Sequence, residues 1–263
     1  MITSTQNPKI QAVRALLARP RERRLQGGFV VEGVRLVEEG AAAAWPASLV
    51  LYSETLSPRG MAVVERLAGA GAEAEPVADR VLQSVSDTET SQGILAVFRL
   101  HPLPWPEALD FVLIADGIRD PGNLGTLMRT ASAAGAHGIV LTPDSVDAFA
   151  PKVLRAAMGA HFHLPVQTLE WPAIALFVKE RPRPLHVFLA ESGQGLACWQ
   201  ADLRQPIALV IGGEAEGAST PARRLADASL TIPMPGPSES LNAAAAAAIL
   251  MFEVVRQRSI PIP

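Results

Sequence analysis

The sequence has little of the chemistry that builds disulfides and metal clusters. Cys198 is the single cysteine, so no disulfide can form within the chain and a cysteine-cluster metal site is excluded. The five histidines are scattered, and the nearest pair, His161 and His163, has no third candidate ligand close in sequence. On a strand their side chains would share one face. We interpret both as structural and expect no metal.

Long hydrophobic runs are also missing. The apolar stretch from Leu241 to Phe252 is too short to span a bilayer and is closed by Glu253 and Arg256. Residues 1–30 are polar and basic and do not show the pattern of a signal peptide. We therefore expect no membrane association, and a cytoplasmic location is the default prediction.

Charge of neither sign dominates the chain, whose formal net charge is −3. The first 35 residues differ, because seven basic residues stand there against Glu22 and Glu32. The basic residues are Lys9, Arg14, Arg19, Arg21, Arg23, Arg24 and Arg35. Such a local patch favours a polyanionic partner such as RNA, although a solvated helix face gives the same pattern.

Two regions of alternating helices and strands are separated by a proline-rich segment. The predicted strands are residues 29–31, 49–52, 94–98, 111–115, 138–141, 164–166, 186–190, 207–211 and 229–232. Residues 101–108 contain three prolines and make the best linker. We predict a first domain over residues 1–100 and a second over 109–263. The stronger strands of the second indicate a parallel sheet covered on both faces.

A polar loop follows the first strand of the second region. It begins with Asp116-Gly117 and leads through Asn123 into a helix that carries Arg129. Open α/β sheets place their ligands at the carboxyl ends of strands, and this loop lacks the GxGxxG pattern of dinucleotide sites. We predict that Asn123 caps the helix and that Arg129 lies off its buried face.

In two later stretches a predicted strand is followed by a loop rich in glycine or proline. Residues 209–218 end a buried strand in Gly212-Gly213, where a ligand could approach the backbone closely. Residues 229–256 run from a short strand through a stiff Pro/Gly loop into an alanine-rich helix, with Ser238 or Ser240 as the predicted cap. The free N–H groups at that helix start suit a flat polar ligand, while a capped helix packed on a core is the simpler alternative.

These three stretches, in this order, resemble the signature motifs of the SpoU/TrmH family of RNA ribose 2′-O-methyltransferases, within the SPOUT superfamily. The resemblance is carried by DGIRDPGNLGTLMRT at 116–130, LVIGGEAEGA at 209–218 and IPMPGPSESLN at 232–242. The start of the chain is similar to the L30e-like substrate-binding domain attached to many members. The matching residues there are Ser4, Asn7, Pro8, the basic tract, residues 29–33, Arg35, Thr90, Gln92 and Gly93.

The resemblance implies an α/β fold in which a parallel-sheet SPOUT domain with a deep trefoil knot follows the smaller L30e-like domain. It implies S-adenosyl-L-methionine as cofactor and a homodimer through the C-terminal knotted domain. The implied catalytic residues are Arg129, Asn123, Glu214, Ser240 and Asn242. The implied cofactor-binding residues are Gly212, Gly213, Glu214, Gly217, Ile232, Met234, Ser240, Leu241 and Asn242. The RNA-binding candidates are Lys9, Arg14, Arg21, Arg23, Arg24, Glu32 and Arg35.

The expected function is methyl transfer to a ribose 2′-hydroxyl of 23S rRNA. Ribosomal RNA is favoured over tRNA because a large structured RNA rewards an additional contact domain. The alternatives are a tRNA methyltransferase and an RNA-binding assembly factor that has lost catalysis. A nucleotide-dependent oxidoreductase is disfavoured by the missing GxGxxG. Two residues depart from the family pattern: Ala157 stands where serine is frequent, and Ala218 where leucine is usual.

Overall fold

The computed structural model describes residues 1–86, 91–193, 195–214 and 216–259, and backbone contacts divide the chain into two compact units. Unit 1 comprises Met1–Pro102 together with Phe149–Phe162. Unit 2 comprises Leu103–Ala148 together with the chain from His163 onwards. Both units combine helices with a sheet, and the sheet of unit 2 is parallel, which confirms the predicted α/β class and the predicted parallel sheet.

Unit 1 is built on a four-stranded sheet with the order β1-β4-β2-β3. The strands are β1 Gly28–Glu32, β2 Ala47–Tyr52, β3 Glu73–Pro76 and β4 Ile94–Arg99. The helices, numbered in chain order, are α1 Pro8–Ala18, α2 Pro20–Gln26, α3 Val34–Ala42, α4 Pro58–Gly69, α5 Asp79–Gln83 and, from the later segment, α7 Pro151–Ala157. Strand β4 runs antiparallel to β1 and β2, and β3 runs parallel to β2. The pattern gives no sign of β3, because Glu-Ala-Glu-Pro lacks β-branched and aromatic side chains.

Helix α1 follows from its local sequence. The side chain of Asn7 caps it by accepting a hydrogen bond from Lys9 N at 2.9 Å, and a proline occupies the first helical position. Ile10, Val13 and Leu16 are buried on one face. Burial of each such side chain stabilises the fold by about 1.5–3 kcal/mol, so packing contributes more to this helix than intrinsic propensity does.

The segment Phe149–Phe162 belongs to unit 1, although the predicted domain boundaries place it in the second domain. The ring centroid of Phe149 lies 4.8 Å from that of Phe29. Trp45 Nε1 donates a hydrogen bond of 3.2 Å to Phe162 O, across 117 residues of sequence. Aromatic contacts of this kind add about 0.5–1.5 kcal/mol beyond the area they bury. Because the partners are so distant in sequence, no local pattern indicates them.

The expectation that His161 and His163 flank a strand is wrong. A 3-10 turn spans Ala160–Phe162, so the two side chains do not share a strand face. Within the described part of the chain, no group of three His, Cys, Asp or Glu side chains is arranged to hold a metal ion. None of the described helices combines the length and apolar character needed to cross a membrane.

Unit 2 contains a seven-stranded parallel sheet with the order β7-β6-β5-β10-β8-β11-β9. The strands are β5 Phe111–Asp116, β6 Gly138–Leu141, β7 Val166–Thr168, β8 His186–Ala190, β9 Leu196–Ala197, β10 Ile207–Gly212 and β11 Ala228–Thr231. The helices are α6 Pro121–Ala133, α8 Trp171–Lys179, α9 Thr220–Leu225 and α10 Ala243–Ser259. Only the two-residue β9 is absent from the predicted strands of this unit.

Helices cover both faces of this sheet. On one face, α8 and α9 pack against a core that includes Val112 and Val210. Side chains alternate between faces along a strand, so Phe111 points to the other face. There the guanidinium of Arg258 in α10 lies 5.5 Å from the centroid of the Phe111 ring. Strands buried on both faces read as continuous apolar runs, which explains why β5 and β10 are evident in the sequence.

Candidate active site

Helix α6 begins three residues earlier than predicted. Asp120 is its N-cap, and Asp120 Oδ1 accepts a hydrogen bond from Asn123 N at 2.8 Å. The prediction that Asn123 is the cap is therefore wrong. Asp120 is as good a cap as Asn, and its use places Asn123 inside the first turn with its side chain free for other contacts.

Helix α10 is capped by Asn242, and the prediction that Ser238 or Ser240 caps it is also wrong. Asn242 Oδ1 accepts hydrogen bonds from Ala244 N at 3.0 Å and Ala245 N at 3.1 Å. These two N–H groups would otherwise lack partners at the start of the helix. The cap fixes the orientation of the Asn242 amide and leaves its Nδ2 as a donor.

A chain of amide hydrogen bonds connects the three motifs. Asn242 Nδ2 donates to Asn123 Oδ1 at 2.9 Å, and Asn123 Nδ2 donates to Glu214 Oε1 at 2.7 Å. We call this chain, Asn242–Asn123–Glu214, the amide relay. Its direction is fixed at both ends, because backbone N–H groups occupy Asn242 Oδ1 and the carboxylate of Glu214 can only accept.

A cavity of about 660 Å³ opens at the carboxyl edge of the parallel sheet, where β8, β10 and β11 end. All nine residues implied as cofactor-binding line it: Gly212, Gly213, Glu214, Gly217, Ile232, Met234, Ser240, Leu241 and Asn242. The apolar side chains Ile211, Leu230 and Leu250 complete its inner wall. Glu191 and Arg223 also line it, and neither belongs to a motif.

The loop after β10 bends back on itself and needs glycine twice. A Cβ at Gly213 would lie 2.5 Å from Gly117 O, which is closer than any side chain tolerates. Gly217 has a φ of +67°, in the left-handed region, and Gly217 N donates to Gly213 O at 3.0 Å. Ala218 is buried, so its replacement of the usual leucine changes packing, while its backbone position is set by this turn.

A second cavity, of about 460 Å³, shares the loop of Gly213 and Gly217 with the first. At its base Asp116 is only 3% exposed, and its Oδ2 accepts a hydrogen bond from Ser219 N at 2.7 Å. Burial raises the pKa of the Asp116 carboxyl above its ordinary value, and the hydrogen bond from Ser219 opposes that rise. This carboxyl therefore holds the loop in place at some cost in desolvation.

The structure does not bring Arg129 to the amide relay. Arg129 is exposed on α6, lines neither cavity, and makes no hydrogen bond or ion pair with the described residues. Its position off the buried face of the helix agrees with the prediction. Ser240 is exposed as well and lies at the cavity wall. Thus four of the five implied catalytic residues cluster, and the fifth projects into solvent.

The basic residues near the start of the chain differ in their availability. Arg23 is 3% exposed and donates to Leu16 O at 2.6 Å, so it closes the end of α1 and is not a surface residue, contrary to its selection as an RNA contact. Lys9 forms ion pairs with Glu73 and Glu75, and these pairs raise its pKa.

Other members of the set remain at the surface. Arg21, Arg24 and Arg35 are exposed. Arg14 donates to Ser84 Oγ at 3.3 Å, and Glu32 accepts a hydrogen bond from the nearby Ser86. Gln92 Oε1 accepts from Val34 N at 2.9 Å, and Thr90 lies outside the described residues.

Comparison with known proteins gives consistent matches. The profile of the SpoU rRNA Methylase family matches residues 110–252, and that of the MRM3-like substrate binding domain matches residues 7–96. The chain is 32% identical to the 23S rRNA (guanosine(2553)-2′-O)-methyltransferase RlmP of Bacillus subtilis, covering 96% of this chain and 98% of that protein. It is 30% identical to the 23S rRNA (uridine(2479)-2′-O)-methyltransferase of Streptomyces viridochromogenes, covering 97% and 92%. The crystal structure of the SpoU methyltransferase AviRb from Streptomyces viridochromogenes in complex with the cofactor AdoMet matches with a TM-score of 0.89 at 30% identity, covering 96% and 98%.

Proposed function

We propose that this chain, which belongs to the SpoU rRNA Methylase family, transfers a methyl group from S-adenosyl-L-methionine to a ribose 2′-hydroxyl of 23S rRNA. The observation that carries the proposal is the amide relay, because it joins residues of all three motifs beside one cavity. Support for the substrate comes from the two relatives, both of which are 23S rRNA 2′-O-methyltransferases.

The cavity fits the cofactor in size and in chemistry. Its volume of about 660 Å³ lies within the range of about 300–1,000 Å³ that small-molecule sites occupy. The side chains of Ile232, Leu241 and Leu250 offer an apolar surface to a flat ring. When bound, S-adenosyl-L-methionine supplies an electrophilic methyl group. We assign its binding to Gly212, Gly213, Glu214, Gly217, Ile232, Met234, Ser240, Leu241 and Asn242.

Arg129 is the proposed catalytic side chain. A guanidinium has a pKa above about 12, so it is a poor general base at neutral pH. We assign it two roles: bidentate binding of the phosphate beside the target ribose, and stabilisation of the negative charge that forms on the 2′-oxygen as its proton passes to water. Because Arg129 has no partner among the described residues, its full set of donors is available to RNA.

The remaining residues position the reacting groups. Ser240 lies at the cavity wall, where its hydroxyl exchanges a hydrogen bond with the ribose hydroxyl, as donor or as acceptor. The amide relay holds Asn242 and Glu214 in fixed orientations, with Asn123 between them. Proximity and alignment then contribute most of the acceleration, as effective concentrations of well-aligned reactants are very high.

Unit 1, which holds residues 1–100 and the segment Phe149–Phe162, is the proposed RNA-binding part of the protein, and the remainder of residues 109–263 is the proposed methyltransferase domain. Exposed Arg21, Arg24 and Arg35, together with Arg14, offer contacts for phosphates, whereas Lys9 must first leave its two carboxylates. Glu32 is proposed as a contact to a nucleotide edge. Support comes from the match of residues 7–96 to a substrate-binding domain.

We further propose a homodimer through a knotted C-terminal domain, and a cytoplasmic location. Support for the dimer comes from large apolar side chains at the surface: Leu241 is 39% exposed, Ile249 45% and Phe252 49%. Phe252→Asp is expected to convert the dimer to monomers in light scattering. Leu176→Asp, at an exposed position on α8, is the matched control and should leave the mass unchanged.

Transfer of labelled methyl groups to purified rRNA and tRNA, followed by mapping of the methylated ribose, tests the activity. A single 2′-O-methyl group in 23S rRNA is the expected product. Arg129→Ala should abolish transfer while cofactor binding persists, and Arg183→Ala, which removes another exposed arginine of unit 2, should not. A tRNA product would overturn the substrate assignment. Cofactor binding without transfer to any RNA, including partly assembled ribosomal particles, would favour the silent binding factor.

A further inference from the structure

One carboxylate of the cavity lies outside all three motifs. Glu191 follows β8 directly, at the carboxyl edge of the parallel sheet, and lines the cavity beside Ala190 and Leu230. Its side chain is 19% exposed. Glu214, the other carboxylate of this cavity, already accepts from Asn123, so the two acidic groups serve different partners.

The carboxylate of Glu191 is held by two donors. Arg223 Nε donates to Glu191 Oε1 at 2.9 Å, and Ser229 Oγ donates to Glu191 Oε2 at 3.0 Å. Arg223 Nη1 also donates to Ala218 O at 2.7 Å, which ties the arginine to the loop after β10. The carboxylate is therefore oriented before any ligand arrives. An ionised carboxylate has about four acceptor positions, so each oxygen can accept a further hydrogen bond.

We propose that Glu191 recognises the cofactor by accepting hydrogen bonds from the 2′- and 3′-hydroxyls of its ribose, an inference that rests on the proposed function. Two adjacent carboxylate oxygens match two adjacent hydroxyls in spacing and in donor–acceptor sense. Carboxylates at the ends of parallel strands serve this purpose in other nucleotide-binding sheets. Ala190 and Leu230, which line the cavity beside Glu191, have no acceptor in their side chains.

The competing ligand group for this carboxylate is the ammonium of the methionine part. Arg223 already neutralises Glu191, so a second cation would gain little attraction and would be repelled by the guanidinium. A neutral hydroxyl is not repelled, and hydrogen bonds to a charged acceptor are stronger than those to a neutral one. The geometry therefore favours the ribose diol over the ammonium group.

Binding of S-adenosyl-L-homocysteine and of its 3′-deoxy analogue, measured by calorimetry, tests this assignment. The wild-type protein should prefer the parent compound on the order of tenfold, which corresponds to one hydrogen bond to a charged group. Glu191→Ala should bind both compounds with the same affinity. Glu216→Gln removes the charge of an exposed carboxylate that does not line this cavity, and it should keep the wild-type preference.

A preference that survives in Glu191→Ala would overturn the inference, because the 3′-hydroxyl would then be bound by another group. If Glu191→Ala does not fold, Glu191→Gln has nearly the same size and should reduce the preference severalfold, since one acceptor becomes a donor. Failure of the wild-type protein to bind S-adenosyl-L-homocysteine at all would contradict the proposed function. Binding without any contribution from Glu191 would contradict this inference alone.

Discussion

The substitution Asn242→Asp separates the two tasks of one side chain. In the wild-type protein, Asn242 Oδ1 caps α10 and Asn242 Nδ2 donates to Asn123 Oδ1. An aspartate keeps the cap, and its charge interacts favourably with the helix N-terminus. It loses the donor, so that a carboxylate oxygen would stand against Asn123 Oδ1. Rotating the Asn123 amide would only move the conflict, because its oxygen would then face Glu214.

The structure indicates how much Asn242→Asp and Asn242→Ala change activity and stability, and in which order the proteins rank. Loss of the hydrogen bond together with an acceptor that faces another acceptor costs about 1–3 kcal/mol. The relay residues are partly exposed to solvent, so the lower end applies and kcat/KM should fall about tenfold. Asn242→Ala loses the cap as well, at about 1 kcal/mol of stability, but introduces no charge. Both variants lose the relay hydrogen bond, but Asp keeps the cap and gains about 0.3–1 kcal/mol at the helix N-terminus. Stability should therefore rank wild type, then Asp, then Ala, while activity ranks wild type, then Ala, then Asp.

Thermal unfolding and methyl transfer, measured on the same preparations, check this reversed order. Acid should narrow the deficit of Asn242→Asp, because a protonated carboxyl again offers a donor to Asn123, and the unperturbed pKa of an aspartate is about 3.9. Ser238→Ala is the control, since Ser238 does not line the cavity. Full activity of Asn242→Asp at neutral pH, with unchanged stability, would refute the idea that the relay positions the active site.

Three further outcomes follow from single residues. Arg23→Ala should lower the free energy of unfolding by about 1–3 kcal/mol, because a buried carbonyl of α1 loses its donor. Arg21→Ala should leave stability unchanged and weaken RNA binding, most strongly at low salt. Gly213→Ala should abolish cofactor binding in calorimetry, because its Cβ would lie 2.5 Å from Gly117 O. The pKa of Asp116 is raised in the folded protein, so this carboxyl lowers the free energy of unfolding as pH rises above its ordinary pKa of 3.8. Asp116→Asn should therefore be more stable than the wild-type protein at neutral pH, and the difference should vanish in acid. Urea titrations at several pH values measure that difference.

The sequence identifies which stretches meet, but not which side chains cap their helices. Asp120, Asn123, Ser240 and Asn242 are all acceptable caps by local chemistry. The choice is made by a tertiary contact, since Asn123 binds Glu214 across 91 residues and Asn242 binds Asn123 across 119. In α6 the relay residue Asn123 leaves the cap to Asp120, whereas in α10 Asn242 serves both the relay and the cap.

The charge of the first 35 residues likewise does not indicate which of their basic side chains are exposed in unit 1. The basic stretch is visible in the sequence, yet Arg23 is buried against backbone carbonyls and Lys9 is paired with two carboxylates of β3. The ion pairs of Lys9 cannot be foreseen, because β3 itself has no strand signal and lies more than 60 residues further along the chain. The burial of Arg23 depends on how α2 packs against the end of α1, which charge alone does not indicate. Among the predicted RNA-binding residues of this stretch, Arg21 and Arg24 are exposed at the surface.

The order of the strands explains why motifs so far apart in sequence form one site. In the order β5-β10-β8-β11 every strand is parallel to its neighbours, so the chain leaves each of them at the same edge of the sheet. The loops after β5, β10 and β11 carry the three motifs, and β8 lies between the last two. Any polar residue at the end of β8 must therefore face the same cavity, with or without a motif to mark it. Glu191 occupies that position, so topology, and no pattern of letters, makes it a candidate for ligand recognition.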